Sequence, residues 1–562
     1  MWRFFAAAVA CCLVGCADGR LVMQLDLPGD PQLDPTQDCS SVGCSSNLRL
    51  ARYSLRITRQ DGDTRNQEAV ASTIGELTVG SVPVDTPFDL RLAGQSGTGQ
   101  VLGVGRVRDV QVDARGDTLV SLKFRKPIGY IAGGTSLRVF DVSAARDLEK
   151  PALGLANVLD VAATPNGVLF VALQQQHMIR VRTADHFAVG CTQPLGSCAK
   201  PESLGTDPKF GTASCIAIRP DSDAALLCRG QGVQPVFNLS GDTPAPVDPF
   251  GVGAQVQRTS AIAFEPTRAG SRPAAWVLGN GIQRTCSGEK SILSRAFVDR
   301  ANDKNGEADS SVPPIELGYA AADVAVDPID PSIVYVVTPC TTNTIVAYRD
   351  RQPVYKLTEG AVPKAYDIAV TDSKIILIGE APRVSVGNDF LPLQAQAIII
   401  ERTDPSRPPL PQSAAELTAL TRTFDVPTIS VRFQTSSSDQ GFLFWSLDAQ
   451  NIKVHNFQVS PDGQRALLNT ETRYASNLSL SSCQYNADVI AHGIMLVDIN
   501  GGTVLYDALT QLEFSQCSSN CITGANTQAG CEAFFRDGLQ ARGRLSRTPY
   551  VPSGGAILFG GR

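Results

Sequence analysis

One short pattern recurs along most of the 562-residue chain: an apolar segment, a turn containing Pro, Asp or Gly, and a second apolar segment. Its clearest copy is DVAVDPIDPSIVYVV, residues 323–337. Repeats of about 40 to 50 residues that contain strands rather than helices are typical of β-propeller blades. The sequence therefore predicts an all-β chain in which residues 127–562 form a β-propeller. The residues after the first apolar segment mark the copies: Pro165, Pro220, Pro266, Pro328, Asp372 and Pro461.

The two ends of this repeat region each resemble part of a blade. GYIAGGTSLRVFDV stands at its start, and AILFGG stands almost at the end of the chain. One blade cannot bury both faces of its sheet, so the repeats must continue until a ring closes. We expect the N- and C-terminal strands to pair in one sheet with the RVFDV segment near Phe140, because this pairing removes exposed sheet edges.

The expected number of blades is about seven, in a range of six to eight. The interval between Asp372 and Pro461 is about twice that between most other neighbouring copies. TISVRFQTSSSDQGFLFWSL, which starts at Thr428, is interpreted as a degenerate copy inside this interval.

Residues 16–126 carry a different pattern, in which short alternating segments such as LRLARYSLRITR are separated by Gly, Pro and Asp-Gly turns. Strands at such spacing predict a small β-sandwich, here an Ig-like domain. The fragment GVG at residues 103–105 lacks the third glycine and the helix of a nucleotide-binding loop, so a turn or bulge is the better interpretation.

The N-terminus has the form of an export signal: Arg3 is followed by an apolar run that is too short to span a membrane. The LVGC segment that ends at Cys16 resembles the lipobox of bacterial lipoproteins. The resemblance implies that residues 1–15 are a signal peptide and that Cys16 is lipidated after cleavage. Ala17, rather than Asp, follows Cys16, which favours the outer membrane of a Gram-negative host. An ordinary secretory signal remains the alternative.

The cysteines agree with export to an oxidising compartment. Removing Cys11 and Cys12 with the signal and reserving Cys16 for lipid leaves an even number of the 15 cysteines. Cys215 is predicted to pair with Cys228 because a hairpin would bring them opposite each other. Partners for Cys286, Cys340 and Cys483 stay open, and zinc is disfavoured because the mature chain has no C-x-x-C. The candidate disulfide residues are Cys39, Cys44, Cys191, Cys198, Cys215, Cys228, Cys517, Cys521 and Cys531.

Two copies resemble known bacterial propeller repeats. NFQVSPDGQRALLNT, with Ser460, Pro461, Asp462 and Gly463, is similar to the TolB-type core, and IVYVVTPCTTNTIVAYR is similar to the YVTN unit. The resemblance covers roughly residues 128–562 and implies a fold, since such propellers serve as scaffolds, ligand binders and occasionally enzymes.

Catalytic and metal-binding motifs are weak in the sequence. The four histidines, His177, His186, His455 and His492, are scattered over different copies. The segment 299–309 resembles a calcium loop but has Ala301 at the first ligand position and Val312 at the last. No catalytic, cofactor-binding or metal-binding residue is therefore assigned, and no cofactor is expected.

Asp160, Asp323 and Asp367 each stand near the start of a copy. They could form a carboxylate ring near the propeller axis, or each could bind its own turn backbone, which is common for Asp and is favoured here.

The function expected from these features is that of a lipid-anchored cell-envelope protein that binds or scaffolds other envelope proteins through its propeller. The net charge of −6, without basic blocks, argues against nucleic acid as a partner. The alternative is a lactonase-like propeller hydrolase with a metal in the central funnel.

Overall fold

The structure is a computed structural model, and it shows an all-β protein, as predicted. The described residues are 18–26, 50–59, 64–70, 76–84, 87–97, 101–113, 116–124, 128–133, 136–141, 146–147, 153–154, 158–163, 168–173, 178–182, 202–203, 213–220, 224–239, 244–267, 271–281, 290–299, 306–341, 343–358, 364–371, 373–380, 385–386, 389–390, 395–402, 414–426, 431–437, 441–460, 463, 465–479, 483–521, 527–541, 545 and 552–558.

The first seven strands form two sheets around one apolar core. A three-stranded sheet has the order β4-β1-β7, and a four-stranded sheet has the order β3-β2-β5-β6. Both sheets contribute to the same buried cluster, in which the ring of Tyr53 packs edge-on against Phe124 at 5.8 Å. The strands are β1 (Asp18–Asp26), β2 (Leu50–Arg59), β3 (Thr64–Val70), β4 (Glu76–Pro83), β5 (Phe88–Ser96), β6 (Val101–Val110) and β7 (Asp117–Lys123).

The rest of the chain forms a succession of small antiparallel sheets. Its strands are β8 (Ile128–Gly133), β9 (Ser136–Asp141), β10 (Arg146–Asp147), β11 (Leu153–Gly154), β12 (Val158–Ala163), β13 (Val168–Leu173), β14 (Met178–Arg182), β15 (Glu202–Ser203), β16 (Ile216–Ile218), β17 (Ala224–Arg229), β18 (Gly232–Phe237), β19 (Ala245–Pro246), β20 (Phe250–Gly251), β21 (Thr259–Phe264), β22 (Ala274–Gly279), β23 (Ile292–Phe297), β24 (Glu307–Ala308), β25 (Ile315–Glu316), β26 (Asp323–Val326), β27 (Ile333–Val337), β28 (Asn343–Arg349), β29 (Gln352–Thr358), β30 (Lys364–Val370), β31 (Lys374–Glu380), β32 (Ser385–Val386), β33 (Asp389–Phe390), β34 (Ala395–Glu401), β35 (Thr421–Asp425), β36 (Val431–Ser437), β37 (Gly441–Val459), β38 (Arg465–Ser479), β39 (Cys483–Asp498), β40 (Thr503–Cys521) and β41 (Pro552–Leu558). The described residues also include two helices, α1 (Ala414–Leu420) and α2 (Gln528–Ala541).

These sheets stand side by side around an axis. Their orders are β41-β8-β9-β10, β12-β13-β14-β15, β16-β17-β18-β19, β21-β22-β23-β24, β26-β27-β28-β29, β30-β31-β34-β35 and β36-β37-β38-β39-β40. The innermost strands contact one another in a closed cycle, which runs β12, β16, β21, β26, β30, β37, β41 and back to β12. This cycle is the arrangement of a β-propeller.

Central strands of these sheets are apolar because they are covered on both faces. All five residues of β27, IVYVV, are buried, and they pack against the neighbouring sheets on either side. Alternating burial is therefore absent from β27, and its sequence is a continuous apolar run.

The C-terminal strand closes the cycle. β41 pairs antiparallel with β8, and Leu558 lies opposite Gly129. The RVFDV segment of β9 belongs to the same sheet but lies one strand further out, since β8 separates it from β41. The innermost strand of this sheet is thus contributed by the end of the chain.

The interpretation of the segment from Thr428 as a separate degenerate copy is wrong. β36 pairs with residues 441–447 of β37, and both strands belong to the sheet that continues through β40. The long interval between Asp372 and Pro461 holds β31 to β36, a helix and β37, and β37 alone has 19 residues, compared with 6 in β12 and 7 in β30.

The long strands form an arm, defined here as residues 441–451, 470–479, 483–492 and 510–521 together with α2. The helix packs on one face of these strands, where Phe535 is fully buried and Phe534 stacks on Tyr485 at 4.3 Å. The disulfide Cys517–Cys531 joins β40 to α2. In the parts of the chain that are described, neither helix has the length and apolar character needed to cross a membrane.

Candidate functional site

The innermost strands surround a cavity of about 690 Å³. Its wall includes carboxyl groups from three sheets, one arginine and one histidine. The residues that matter for its chemistry are Asp160, Arg258, Ser260, Asp323, Asp367 and His455.

Asp160 links two neighbouring sheets at the cavity wall. Its Oδ1 accepts a hydrogen bond from the N–H of Val161 at 2.8 Å, and its Oδ2 accepts one from the N–H of Ile216, in the next sheet, at 2.9 Å. A register shift between Val158 and Asp160 interrupts the regular pairing of β12 with β13 at this point. The carboxylate thus accepts hydrogen bonds from backbone N–H groups that the pairing of the strands does not use.

Asp323 and Asp367 repeat this arrangement further round the ring. Oδ2 of Asp323 accepts from the N–H of Ile368 at 3.4 Å, and Asp367 accepts from Ile368 at 2.9 Å and from Phe457 at 3.4 Å. Each of the three residues, here named the clamp aspartates, therefore bonds backbone near itself and backbone in the next sheet. The sequence left two interpretations of these residues: a carboxylate ring near the axis, or bonds from each Asp to its local backbone. The structure has elements of both, since the carboxyl groups line the cavity and also bind local backbone.

Asp323 and Asp367 also hydrogen-bond each other. Burial, followed by the adjacent carboxyl of Asp323, raises the pKa of Asp367 well above its ordinary value of 3.8. Burial likewise raises the pKa of Asp323, although its hydrogen bonds oppose the shift. Two close carboxyl groups cannot both ionise without repulsion, so the pair holds a proton at pH values where isolated aspartates have lost theirs.

Two further residues of the wall, Arg258 and His455, have basic side chains. Nη2 of Arg258 donates to the carbonyl of Gly281 at 2.7 Å, and the side chain is otherwise exposed. Nε2 of His455 lies 2.7 Å from Oε2 of Glu471, which belongs to the arm. The cavity wall therefore carries both acidic and basic side chains.

Sequence reasoning missed Arg258, Ser260 and Tyr366 as residues of this wall. Ser260 donates to the carbonyl of Leu278 at 3.0 Å and accepts from the N–H of Gly281 at 3.1 Å. Tyr366 accepts from the N–H of Val454 at 3.3 Å. The place of Ser260 and Tyr366 in the sequence repeats could have indicated them. Each directly precedes the residue that aligns with Asp160 in its copy.

A predicted disulfide also lines the cavity. Cys215 and Cys228 are bonded, with 4.9 Å between their Cα atoms, and the N–H of Cys228 donates to the carbonyl of Cys215 at 2.9 Å. Cys340 is also in a disulfide.

Several predicted positions fall outside the part of the chain that the structure describes. They are the signal peptide 1–15, Cys16, Cys39, Cys44, Cys191, Cys198, Cys286, His177, His186 and Ala301. Near the calcium-like segment, Asp299 binds Arg272 at 2.8 Å and Asp309 binds Arg295 at 2.6 Å, so both carboxylates neutralise arginines. Within the described segments, no group of three His, Cys, Asp or Glu residues has a metal-binding arrangement.

No protein family matches the chain. No curated protein matches it either. Among solved structures, a functionally unknown protein from Desulfotomaculum acetoxidans DSM 771 is 11% identical, covers 68% of this chain and 98% of its own, and has a TM-score of 0.38. The WD40 β-propeller domain of Doa1 is 9% identical, covers 63% of this chain and 81% of its own, and has a TM-score of 0.31.

Proposed function

We propose that the chain is a cell-envelope lipoprotein that binds another envelope protein through its β-propeller. In this proposal each sheet of the closed cycle is one blade, which gives seven blades of the YVTN or TolB type. The two N-terminal sheets are the Ig-like β-sandwich that precedes them.

The observation that carries the binding role is the cavity held in shape by the clamp aspartates. Asp160 and Asp367 are fixed by backbone donors from two sheets, so the wall is ordered before any ligand arrives. A preformed concave site with a few placed polar groups is the usual form of a binding site, since little entropy is lost on binding. Arg258 offers a charged donor and His455 an imidazole at the same surface.

The proposed anchor is lipid on Cys16, and residues 13–16, LVGC, support it. Acyl chains contribute about 0.8 kcal/mol per buried methylene, so a multiply acylated cysteine holds a water-soluble body at a membrane. In Cys16→Ser we expect the chain to leave the membrane fraction and to keep its signal peptide. Unchanged fractionation and mass would contradict the anchor without touching the binding role.

The binding role is tested by crosslinking in intact cells. Arg258→Glu reverses a charge on the exposed cavity wall and is expected to abolish capture of the envelope partner. Lys356→Glu makes the same charge change on the exposed outer strand β29 and is the matched control.

The alternative function, that of a hydrolase, is tested on the purified protein. Stoichiometric bound metal together with hydrolysis of a lactone or a glycoside would replace the binding proposal by an enzymatic one.

A further inference from the structure

The outer end of the arm brings together two cysteines whose partners the sequence leaves open. β39 begins at Cys483 and β40 ends at Cys521, and the antiparallel register places these residues directly opposite each other. The ladder continues regularly from this pair to Ala487 opposite Cys517. The register of several consecutive pairs therefore fixes the alignment of the two cysteines.

Backbone geometry at such a position fits a disulfide. Directly opposed residues of an antiparallel pair have Cα atoms about 4.5 to 5.5 Å apart, and disulfides span about 4.4 to 6.8 Å between Cα atoms. This chain already bonds two cysteines across adjoining backbone segments at Cys215 and Cys228, whose Cα atoms are 4.9 Å apart. The register places Cys483 and Cys521 in a comparable backbone arrangement.

The neighbouring cysteines of the arm are already engaged. Cys517 lies four residues before Cys521 in QCSSNC, but it is bonded to Cys531 of α2. A bond within QCSSNC is therefore excluded, and Cys483 is the cysteine that the sheet places beside Cys521.

We propose that Cys483 and Cys521 form a disulfide that closes the outer end of the arm. Each thiol loses one proton, and the two electrons pass to the disulfide of an oxidised thiol–disulfide exchange protein, which becomes a dithiol. The two disulfides present at Cys215–Cys228 and Cys517–Cys531 require the same class of oxidant. This inference goes beyond the proposed function and does not depend on which partner the propeller binds.

The bond gives the arm two covalent ties on one strand. β40 would be joined to β39 at Cys521 and to α2 at Cys517, while the part of β39 near Asp498 is held by hydrogen bonds and apolar packing. Opening the Cys483–Cys521 bond should therefore loosen the outer pairs of the ladder and leave the ring intact.

The test is alkylation of free thiols in the full-length protein, denatured without reduction and mapped by mass spectrometry. No Lys or Arg lies between residues 483 and 521, so cleavage after Glu513 is used to separate the two cysteines. The wild type should show no label at Cys483, Cys517, Cys521 or Cys531. Cys483→Ser should give one label, at Cys521, and Cys521→Ser one label, at Cys483.

Cys228→Ser is the matched control, and it should expose Cys215 alone. Full labelling of both Cys483 and Cys521 in the wild type would overturn the proposal even if a variant failed to fold. Labelling of Cys517 or Cys531 in Cys483→Ser would also overturn it, because it would show another connectivity. Exported Cys16→Ser protein should give the wild-type pattern at Cys483, Cys517, Cys521 and Cys531, which separates this result from the proposed anchor.

Discussion

Oδ2 of Asp160 accepts a hydrogen bond from the backbone N–H of Ile216, 2.9 Å away in the next sheet of the ring. Asp323 and Asp367 make the corresponding bonds to Ile368 and Phe457. A carboxylate at the start of an innermost strand therefore joins its own sheet to the following one. This link adds to the apolar contacts and the other polar bonds that hold neighbouring sheets together.

Asp160→Ala should destabilise the ring. The change leaves the N–H groups of Val161 and Ile216 without this acceptor, and a buried donor without a partner costs about 1 to 3 kcal/mol. We expect the free energy of unfolding, measured in urea, to fall by about 2 to 4 kcal/mol. Asp425→Ala, which removes an exposed carboxylate of β35, should change it by less than about 0.5 kcal/mol. Equal effects of the two substitutions would argue against the clamp.

The Asp323–Asp367 pair should make stability depend on pH. The unfolded chain releases both protons near the ordinary pKa of 3.8, whereas the native pair, whose pKa values are raised, keeps a proton to higher pH. The native state then binds more protons than the unfolded state, so the free energy of unfolding falls as pH rises through this window.

Asp367→Asn should remove most of that fall, because the amide cannot ionise and can still donate to Asp323. Urea unfolding of the variant and the wild type is compared from about pH 4 to about pH 8. His455 lines the same cavity, so His455→Gln is measured in parallel as a control. Parallel pH profiles of the wild type and Asp367→Asn would contradict the shared proton.

Arg402→Ala should be among the most destabilising substitutions of a charged residue. Arg402 pairs with Asp327 across two sheets, and their side chains are 1% and 0% exposed. Its loss leaves a buried carboxylate without its cation, which typically costs about 3 to 5 kcal/mol. Arg20→Ala breaks an ion pair with Asp117 whose side chains are 57% and 52% exposed, and it should cost less than about 1 kcal/mol. The measurement is again urea unfolding, and similar costs for both variants would refute the distinction.

Truncation before Gly554 should open the ring, although C-terminal tails are usually dispensable. The deletion removes most of β41, so the edge of β8 loses its partner and β12 and β37 lose an innermost neighbour. Truncation after Leu558 keeps the whole strand and is the control. We expect the first variant to be rapidly proteolysed and the second to resist like the wild type. Equal protease resistance of the two truncated variants would contradict closure of the ring by β41.

Much of this fold follows from the sequence because apolar segments and turns recur in the same order along the chain. The pairing of Cys215 with Cys228 was predictable for the same reason, since they flank one hairpin. The segment from Thr428 was misread because lengthened strands have the same alternation as an extra repeat. Arg258 could not be assigned, because its place on the wall depends on how the ring brings separate copies together.

The most direct test of the binding proposal places a photoreactive residue at Arg258 and, separately, at Lys356, and irradiates intact cells. Arg258 lies on the cavity wall, and Lys356 lies on an exposed outer strand. We expect a single abundant adduct with one envelope protein from position 258 and none from position 356. No adduct from position 258, or the same adducts from both positions, would contradict binding through the cavity.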